Sequence, residues 1–388
     1  MKLLPFEYPV RNAGRSPVRT ALTIFGAAAV VFLVLLMGSF VESLRKSLAA
    51  TGHPANVIVL GAGSENFLEQ SEVSPALPSI IDASVKGIKR IQNVPMLSPE
   101  IHHAATVRLG SDENTGQQGR ALLRGVTDMA FPVHSQVYIT SGRPPGPGEI
   151  LVGRLASTKV NLPENALNIG ADLWFEGRAW KVSGTFTAPG TAFDSEIWVP
   201  LEDLKTQVKR DSITCVIARM ESPAKASEVQ IFTKTRLDLE LGSEREVAYY
   251  SGLATFYQPI RMMGWVMAII AVGAGLFGGL NIMVAVVAGR SRELAALETL
   301  GFSRVAITLS LFIEFLIQTS AGALIASALA LLFLSGRAMR FTMGAISLDV
   351  DPAILAAGCG TALLLAVAGT LFAGARLVRT PLIESLRS

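Results

Sequence analysis

The sequence predicts a membrane protein with four transmembrane α-helices and a large mixed α/β extracytoplasmic domain inserted between helices 1 and 2. Three observations predict it. Four long apolar runs lie at residues 20–41, 262–289, 305–335 and 352–375. Between the first two runs, residues 43–256 have the composition of an ordinary soluble domain. Lys and Arg are in excess on one set of flanks only. The chain as a whole is half hydrophobic and only 17% charged. The clustering of the apolar residues carries more weight than that average, because crossing a bilayer core takes roughly 20 apolar residues in a helix. A spanning segment must satisfy its own backbone hydrogen bonds, so isolated runs of this kind are helices.

The elements follow in order. Residues 1–19 are a basic lead-in, with Lys2, Arg11, Arg15 and Arg19 against Glu7, and the first span covers 20–42. Leu48-Ala49-Ala50 could imitate a cleavage site. The apolar run from Ala21 to Phe40 nevertheless exceeds a signal-peptide core of about 7–15 residues, so an uncleaved helix is expected. The domain at 43–256 opens with the strand-like Asn56–Leu60, a helix candidate at 78–91 and the strand-like Ala105–Leu109. The punctuation Pro144-Pro145-Gly146-Pro147-Gly148 precedes Glu149–Val152. Residues 171–175 and 179–183 flank a Glu176-Gly177 turn and read as a hairpin, and Ile197–Pro200 is another short strand. A second subdomain is expected at about 141–205, and helix-like spacing returns at 222–245. Tyr249, Tyr250, Phe256, Tyr257 and Trp265 either form an interfacial aromatic group or simply end the domain. The second span is 260–289, a short extramembrane segment is 290–304, the third span is 305–335, an outer loop is 336–351, the fourth span is 352–375 and a tail is 376–388.

Basic excess marks the cytoplasmic side. It occurs before the first span, at Arg290, Arg292 and Arg304 between the second and third, and at Arg376, Arg379 and Arg387 in the tail. Arg337 and Arg340 are balanced by Asp349 and Asp351. Both termini and the 290–304 segment are therefore expected in the cytoplasm, and the large domain outside an inner membrane. The net charge of +3 gives no case for nucleic acid. Cys215 and Cys359 are too far apart in kind of environment to suggest a disulfide. His53, His102, His103 and His134 make no metal-ligand spacing, and the chain has no Gly-Lys dipeptide, hence no phosphate-binding loop. A non-catalytic chain without a cofactor of its own is expected.

The 288–304 segment reads as a short amphipathic helix. Ser291 is the expected N-cap, Glu293 suits the first turn, Leu294, Leu297 and Leu300 form one stripe, and Gly301 suits the C′ position. The stripe has no obvious partner in so short a loop. Lying on lipid headgroups and docking a cytoplasmic protein are both open readings. Small residues (Gly275, Gly278 and Gly279 in the second span, Gly322 in the third) allow close helix packing, within the chain or in a dimer. Glu314 is a carboxylate well inside an apolar span; it either snorkels or pairs with a nearby basic group or helix end, or it serves a conduit or conformational coupling.

Four features together resemble the FtsX/MacB-like permeases of ABC transporters, the mechanotransmission class. They are the lead-in Arg11-Asn12…Arg15…Arg19-Thr20, the segments Gly148–Ala156, Ile169–Leu173 and Trp180–Phe186, the motif Arg290-Ser-Arg292-Glu293…Leu297-Glu298…Leu300-Gly301…Arg304, and the ending Ala375–Arg387. Glu298 departs from the basic residue common at that place. The resemblance implies a dimer, or a heterodimer with a paralogue, each copy binding a separate ATPase subunit through the 290–304 helix, with ATP and Mg held by that partner. It implies contact with membrane lipid and allows a periplasmic adaptor or chaperone. The implied function is export or extraction of a lipophilic substrate, lipoprotein, peptide or drug at the outer face of the membrane. The alternative is ATP-driven regulation of a periplasmic enzyme such as a cell-wall hydrolase, with no substrate moved.

Overall fold

The computed structural model describes residues 7–65, 67–110, 116–163, 165–340 and 344–379. They form two compact units. The membrane unit joins residues up to 42 with 259–337 and 348 onward; the outer unit joins 43–258 with 338–347.

Seven helices frame the chain: α1 (Glu7–Gly14), α2 (Pro17–Thr51), α3 (Glu246–Phe256), α4 (Gln258–Gly289), α5 (Ser291–Thr299), α6 (Arg304–Phe333) and α7 (Pro352–Arg379). Four of them, α2, α4, α6 and α7, are long and apolar enough to cross a membrane. Ala28, Val31 and Leu35 of α2 pack against Ala323, Ala326 and Ala330 of α6 and Ile354 of α7. The small alanines let these backbones approach where lipid supplies no hydrophobic drive. Helix α2 runs 35 residues, about 50 Å at the α-helical rise, and its last residues, from Ser43, belong to the outer unit. The first span was expected to end at 42; the helix does not stop there because Glu42–Thr51 has neither Gly nor Pro to break it.

The outer unit is built on one ten-stranded sheet. Its strands are β1 (Asn56–Gly61), β2 (Leu97–Leu109), β3 (Gln118–Val126), β4 (Tyr138–Gly142), β5 (Glu149–Gly153), β6 (Asp172–Phe175), β7 (Arg178–Thr187), β8 (Ile197–Pro200), β9 (Cys215–Arg219) and β10 (Leu241–Arg245). The order is β10-β1-β9-β2-β3-β8-β5-β7-β4, with β6 pairing β2 and β7. The stretch expected as a second subdomain is thus part of the same sheet, because β8 pairs β3 in parallel, Ile197 opposite Leu123. The anticipated hairpin is β6–β7, closed with Phe175 opposite Arg178. Glu176 (φ +49°) and Gly177 (φ +76°) supply the paired positive φ of a twist-matched two-residue turn. The helix expected over 78–91 is Leu77–Ser84 only; Val85 is extended and Gly87 sits at φ +80°. Residues 222–245 hold a helix at Ala226–Thr235 and then the edge strand β10, reached through Glu240 at φ +47°.

The 336–351 loop carries a small hairpin, β11 (Ala338–Arg340) and β12 (Ala345–Ser347), that belongs to the outer unit. Its Ala345 and Ile346 are buried.

Candidate functional sites

Helix α5 is seated by its own leucines. It starts at Ser291, with Arg290 at the capping position, one residue earlier in the cap than expected; the Ser291 side chain lies outside the described residues. It ends in a Schellman motif, Phe302 N–H to Leu297 O (3.1 Å) and Gly301 N–H to Glu298 O (3.0 Å), with Gly301 at φ +87°. Leu294 is buried against Ile307, Leu311, Phe315 and Ala366, and Leu297 and Phe302 pack on the same cluster. The stripe therefore has an intramolecular partner outside the loop, on α6 and α7. Leu300 departs from the stripe and is 70% exposed. Arg292, Glu293, Ala296 and Thr299 are exposed beside it.

Glu314 is paired. Asn12 Nδ2 donates to its Oε2 at 2.9 Å, and Arg290 NH1 lies 3.4 Å from both carboxylate oxygens. Arg290 NH2 donates to the Asn12 carbonyl at 3.4 Å, Arg15 NH1 to Glu293 Oε1 at 3.3 Å, and Arg304 Nε to Glu298 Oε1 at 2.7 Å. These contacts join α1, α5 and α6 around one buried carboxylate.

The small residues divide by what a side chain would meet. A Cβ at Gly322 would come 2.8 Å from the Ile24 carbonyl, and one at Gly275 would collide with Val30, so both glycines serve packing against α2. A Cβ at Gly279 would make an ordinary contact with Phe315, and at Gly278 it would meet nothing within 4 Å among the described residues. A cavity of about 240 Å³ lies among these spans, with Gly26, Gly275, Gly279, Phe315 and Gly369 in its lining.

A second buried charge site, in the outer unit, was not anticipated. Arg124 of β3 grips Glu196 in a fork, Nε to Oε2 at 2.6 Å and NH2 to Oε1 at 2.7 Å, and NH1 reaches Glu100 Oε2 at 2.5 Å. Trp198 Nε1 donates to Glu196 at 3.0 Å, and the guanidinium lies over the Phe193 ring. His134 Nε2 stands 2.7 Å from Glu100, with its Nδ1 3.5 Å from Glu246. Glu246, the first residue of α3, accepts from His53 N–H (2.7 Å) and Asn56 Nδ2 (2.9 Å), both just beyond the end of α2. The end of α2 is fastened as well: Gln136 donates to the Thr51 carbonyl at 2.7 Å and Ala192 N–H to Thr51 Oγ1 at 2.8 Å.

Titration follows from these contacts. Burial works against the ionised Glu100, but His134 and Arg124 outweigh it and hold its carboxyl well below the usual range. Glu246 is pushed up, chiefly by burial. Burial and Arg124 push His102 down. His102 Nε2 stands 2.7 Å from Arg124 NH1 and 3.1 Å from Glu100 Oε2. Glu100, His102 and Cys215 lie close enough to suggest metal ligands. The cationic Arg124 guanidinium, however, already contacts both the Glu100 and the His102 donor atoms, which are themselves 3.1 Å apart, and burial keeps Cys215 a thiol. The trio belongs to an ion-pair cluster. The sequence signal was a charge within an apolar strand, Leu122-Leu123-Arg124-Gly125-Val126, which requires a buried partner.

Comparison with known proteins agrees with this architecture. Residues 20–231 match the MacB-like periplasmic core domain, and residues 265–382 match the FtsX-like permease C-terminal family. The chain belongs to the FtsX/MacB-like permease family. It is a multi-pass ABC transporter permease, and membership implies an ATPase partner. It is 22% identical over 321 residues to an uncharacterized ABC transporter permease, YknZ, of Bacillus subtilis (strain 168), covering 78% of each chain. The extracellular domain of YknZ from Gram-positive bacteria is similar at 15% identity with a TM-score of 0.37, over 49% of this chain and 99% of that domain. The periplasmic region of MacB from Actinobacillus actinomycetemcomitans is similar at 10% identity with a TM-score of 0.39, over 54% of this chain and 97% of that region.

Proposed function

We propose that this permease couples ATP hydrolysis by a separate ATPase subunit to movement of its outer domain. Both termini and α5 face the cytoplasm of a bacterial inner membrane. A lipophilic substrate, lipoprotein, peptide or drug is exported or extracted at the outer face, and ATP and Mg are bound by the ATPase. The working assembly contains a second permease copy or a paralogue, with an adaptor or chaperone where the cargo requires one.

The observation that carries this reading is the seating of α5. Its stripe is spent on α6, which leaves Arg292, Ala296, Thr299 and Leu300 as the exposed side of a rigid, capped helix. That side is the proposed ATPase contact; Leu294 and Leu297 hold the helix in place behind it. Helix α2 supports transmission, since its last turns are hydrogen-bonded to outer-unit loops at Gln136 and Ala192.

The test is affinity purification from native membranes in mild detergent, with non-hydrolysable ATP. A stoichiometric ATPase bearing a phosphate-binding loop is the expected result. An adaptor or cargo beside it supports transport; a cell-wall hydrolase supports the regulatory alternative. Purification without any ATPase overturns the coupling reading.

A further inference from the structure

We propose that Glu314 is a positioning residue: through Arg290 and Asn12 it locks α5, the N-terminal helix α1 and the first half of α6 into one rigid head. The inference rests on the reading that α5 docks an ATPase, and adds to it the route by which displacement of α5 enters the third span.

Three observations carry it. First, Glu314 is 7% exposed and lies in the apolar helix α6, where an unpaired carboxylate is costly. A hydrophobic residue there would pack at no such cost, so the charge needs a reason. Second, its two partners come from the two elements that flank the proposed docking face. Arg290 is the residue from which α5 starts, and Asn12 is buried on α1. Arg290 also donates to the Asn12 carbonyl, which closes a triangle among three helices. Third, an outer tie repeats the connection, with Arg15, just after α1, donating to Glu293 of α5. Tyr8 of α1 lies in the field of Glu293, Arg290, Glu314 and Arg15.

Without the triangle, α5 would be joined to α6 by its leucine contacts, the turn at 300–303 and the Arg304–Glu298 pair beside that turn. Apolar contacts are non-directional and let a helix slide. Two hydrogen-bonded groups on one carboxylate set direction and register. A push on α5 is then delivered at Glu314, inside the span, and to α1.

The experiment places spin labels at Gly289, next to the Arg290 from which α5 starts, and at Leu309 on α6 of the full chain, and measures their distance distribution with the ATPase bound, with and without trapped nucleotide. In the native chain the distribution is narrow and unchanged by nucleotide. Glu314→Gln keeps shape and the Asn12 bond but loses the charge pair; it broadens the distribution and makes it respond to nucleotide, while the ATPase still co-purifies. Asn12→Ala does the same to a smaller extent. A narrow, nucleotide-insensitive distribution in both Glu314→Gln and Asn12→Ala overturns the proposal. Loss of the ATPase from Glu314→Gln also overturns it. If the native chain captures no ATPase, the docking reading has failed, and the label distances still test the lock in the chain alone.

Discussion

The molecule has two buried charge sites, and they are built differently. In the outer unit, Arg124 of β3 is gripped at 2.5–2.7 Å by Glu100 on the neighbouring strand β2 and by Glu196, the residue just before β8. In the membrane unit, Arg290 meets Glu314 at 3.4 Å, and the partners sit on separate helices. Sheet strands are cross-bonded along their length, so charges placed on them are fixed to a fraction of an ångström. Helices meet only through their side chains, so a charge pair between them fixes one against another. The outer site thus serves as a rivet at one sheet, whereas the inner one ties three separate helices into one head.

Breaking the rivet gives the largest effect. Arg124→Met leaves Glu100 and Glu196 buried without their counter-charge, and should cost about 3–5 kcal/mol of stability. Thermal unfolding of the purified protein measures it; a loss below about 1 kcal/mol would remove the distinction between the two sites. Breaking the tie costs less. Glu314→Gln should lose about 1.5–3 kcal/mol, the range for a hydrogen bond to a charged group, without abolishing folding. If its unfolding midpoint falls as far as that of Arg124→Met, the inner site is a rivet too.

Packing sharpens the contrast. Gly322→Leu forces α6 off the backbone of α2 and should cost about 1–3 kcal/mol, whereas Gly278→Leu fills open space and should change stability by less than about 0.5 kcal/mol. Equal effects in a thermal melt would mean that the two glycines share one environment. On α5, Leu300→Asp should leave stability within about 0.5 kcal/mol yet release the ATPase, because Leu300 is exposed. Leu297→Asp should lower stability instead, and a pull-down alongside a melt separates the two outcomes.

The smallest effect is that of pH on the outer unit. Burial, with Arg219 and Lys89 nearby, lowers His53 to about 4, from an ordinary 6.5. Between those values the unfolded chain binds a proton that the folded chain does not, so His53 contributes stability above pH 6.5 that is lost as pH falls toward 4. His102, also lowered, acts in the same sense. Glu246, raised, acts oppositely, since its contribution is present below its unfolded value and is lost as pH rises through its folded one. The unfolding midpoint should therefore drop modestly from pH 7 to pH 5. His53→Asn should flatten that slope; a slope unchanged in this variant would exclude His53 as its source.

Much of the architecture was legible in the chain. Apolar runs long enough to cross a bilayer, basic flanks, the Glu176-Gly177 turn and the Gly301 helix stop are local signals, because each reflects a neighbour-scale constraint on hydration or backbone torsion. Three things were not legible. The leucine stripe of α5 was visible, but its partner, the Ile307–Phe315 face of α6, lies across a turn whose direction only folding decides. The fastening of the end of α2 at Thr51 rests on donors supplied by Gln136 and Ala192, far along the chain. Glu100, Arg124, His134, Glu196 and Glu246 come from five separate segments. Composition and periodicity determined by themselves that this chain spans a membrane four times around one mixed α/β insert, since burial in lipid is a property of each run alone. Which charges neutralise one another was decided by the tertiary structure, because a Coulombic pair depends on distance in space, and sequence separation carries no information about it.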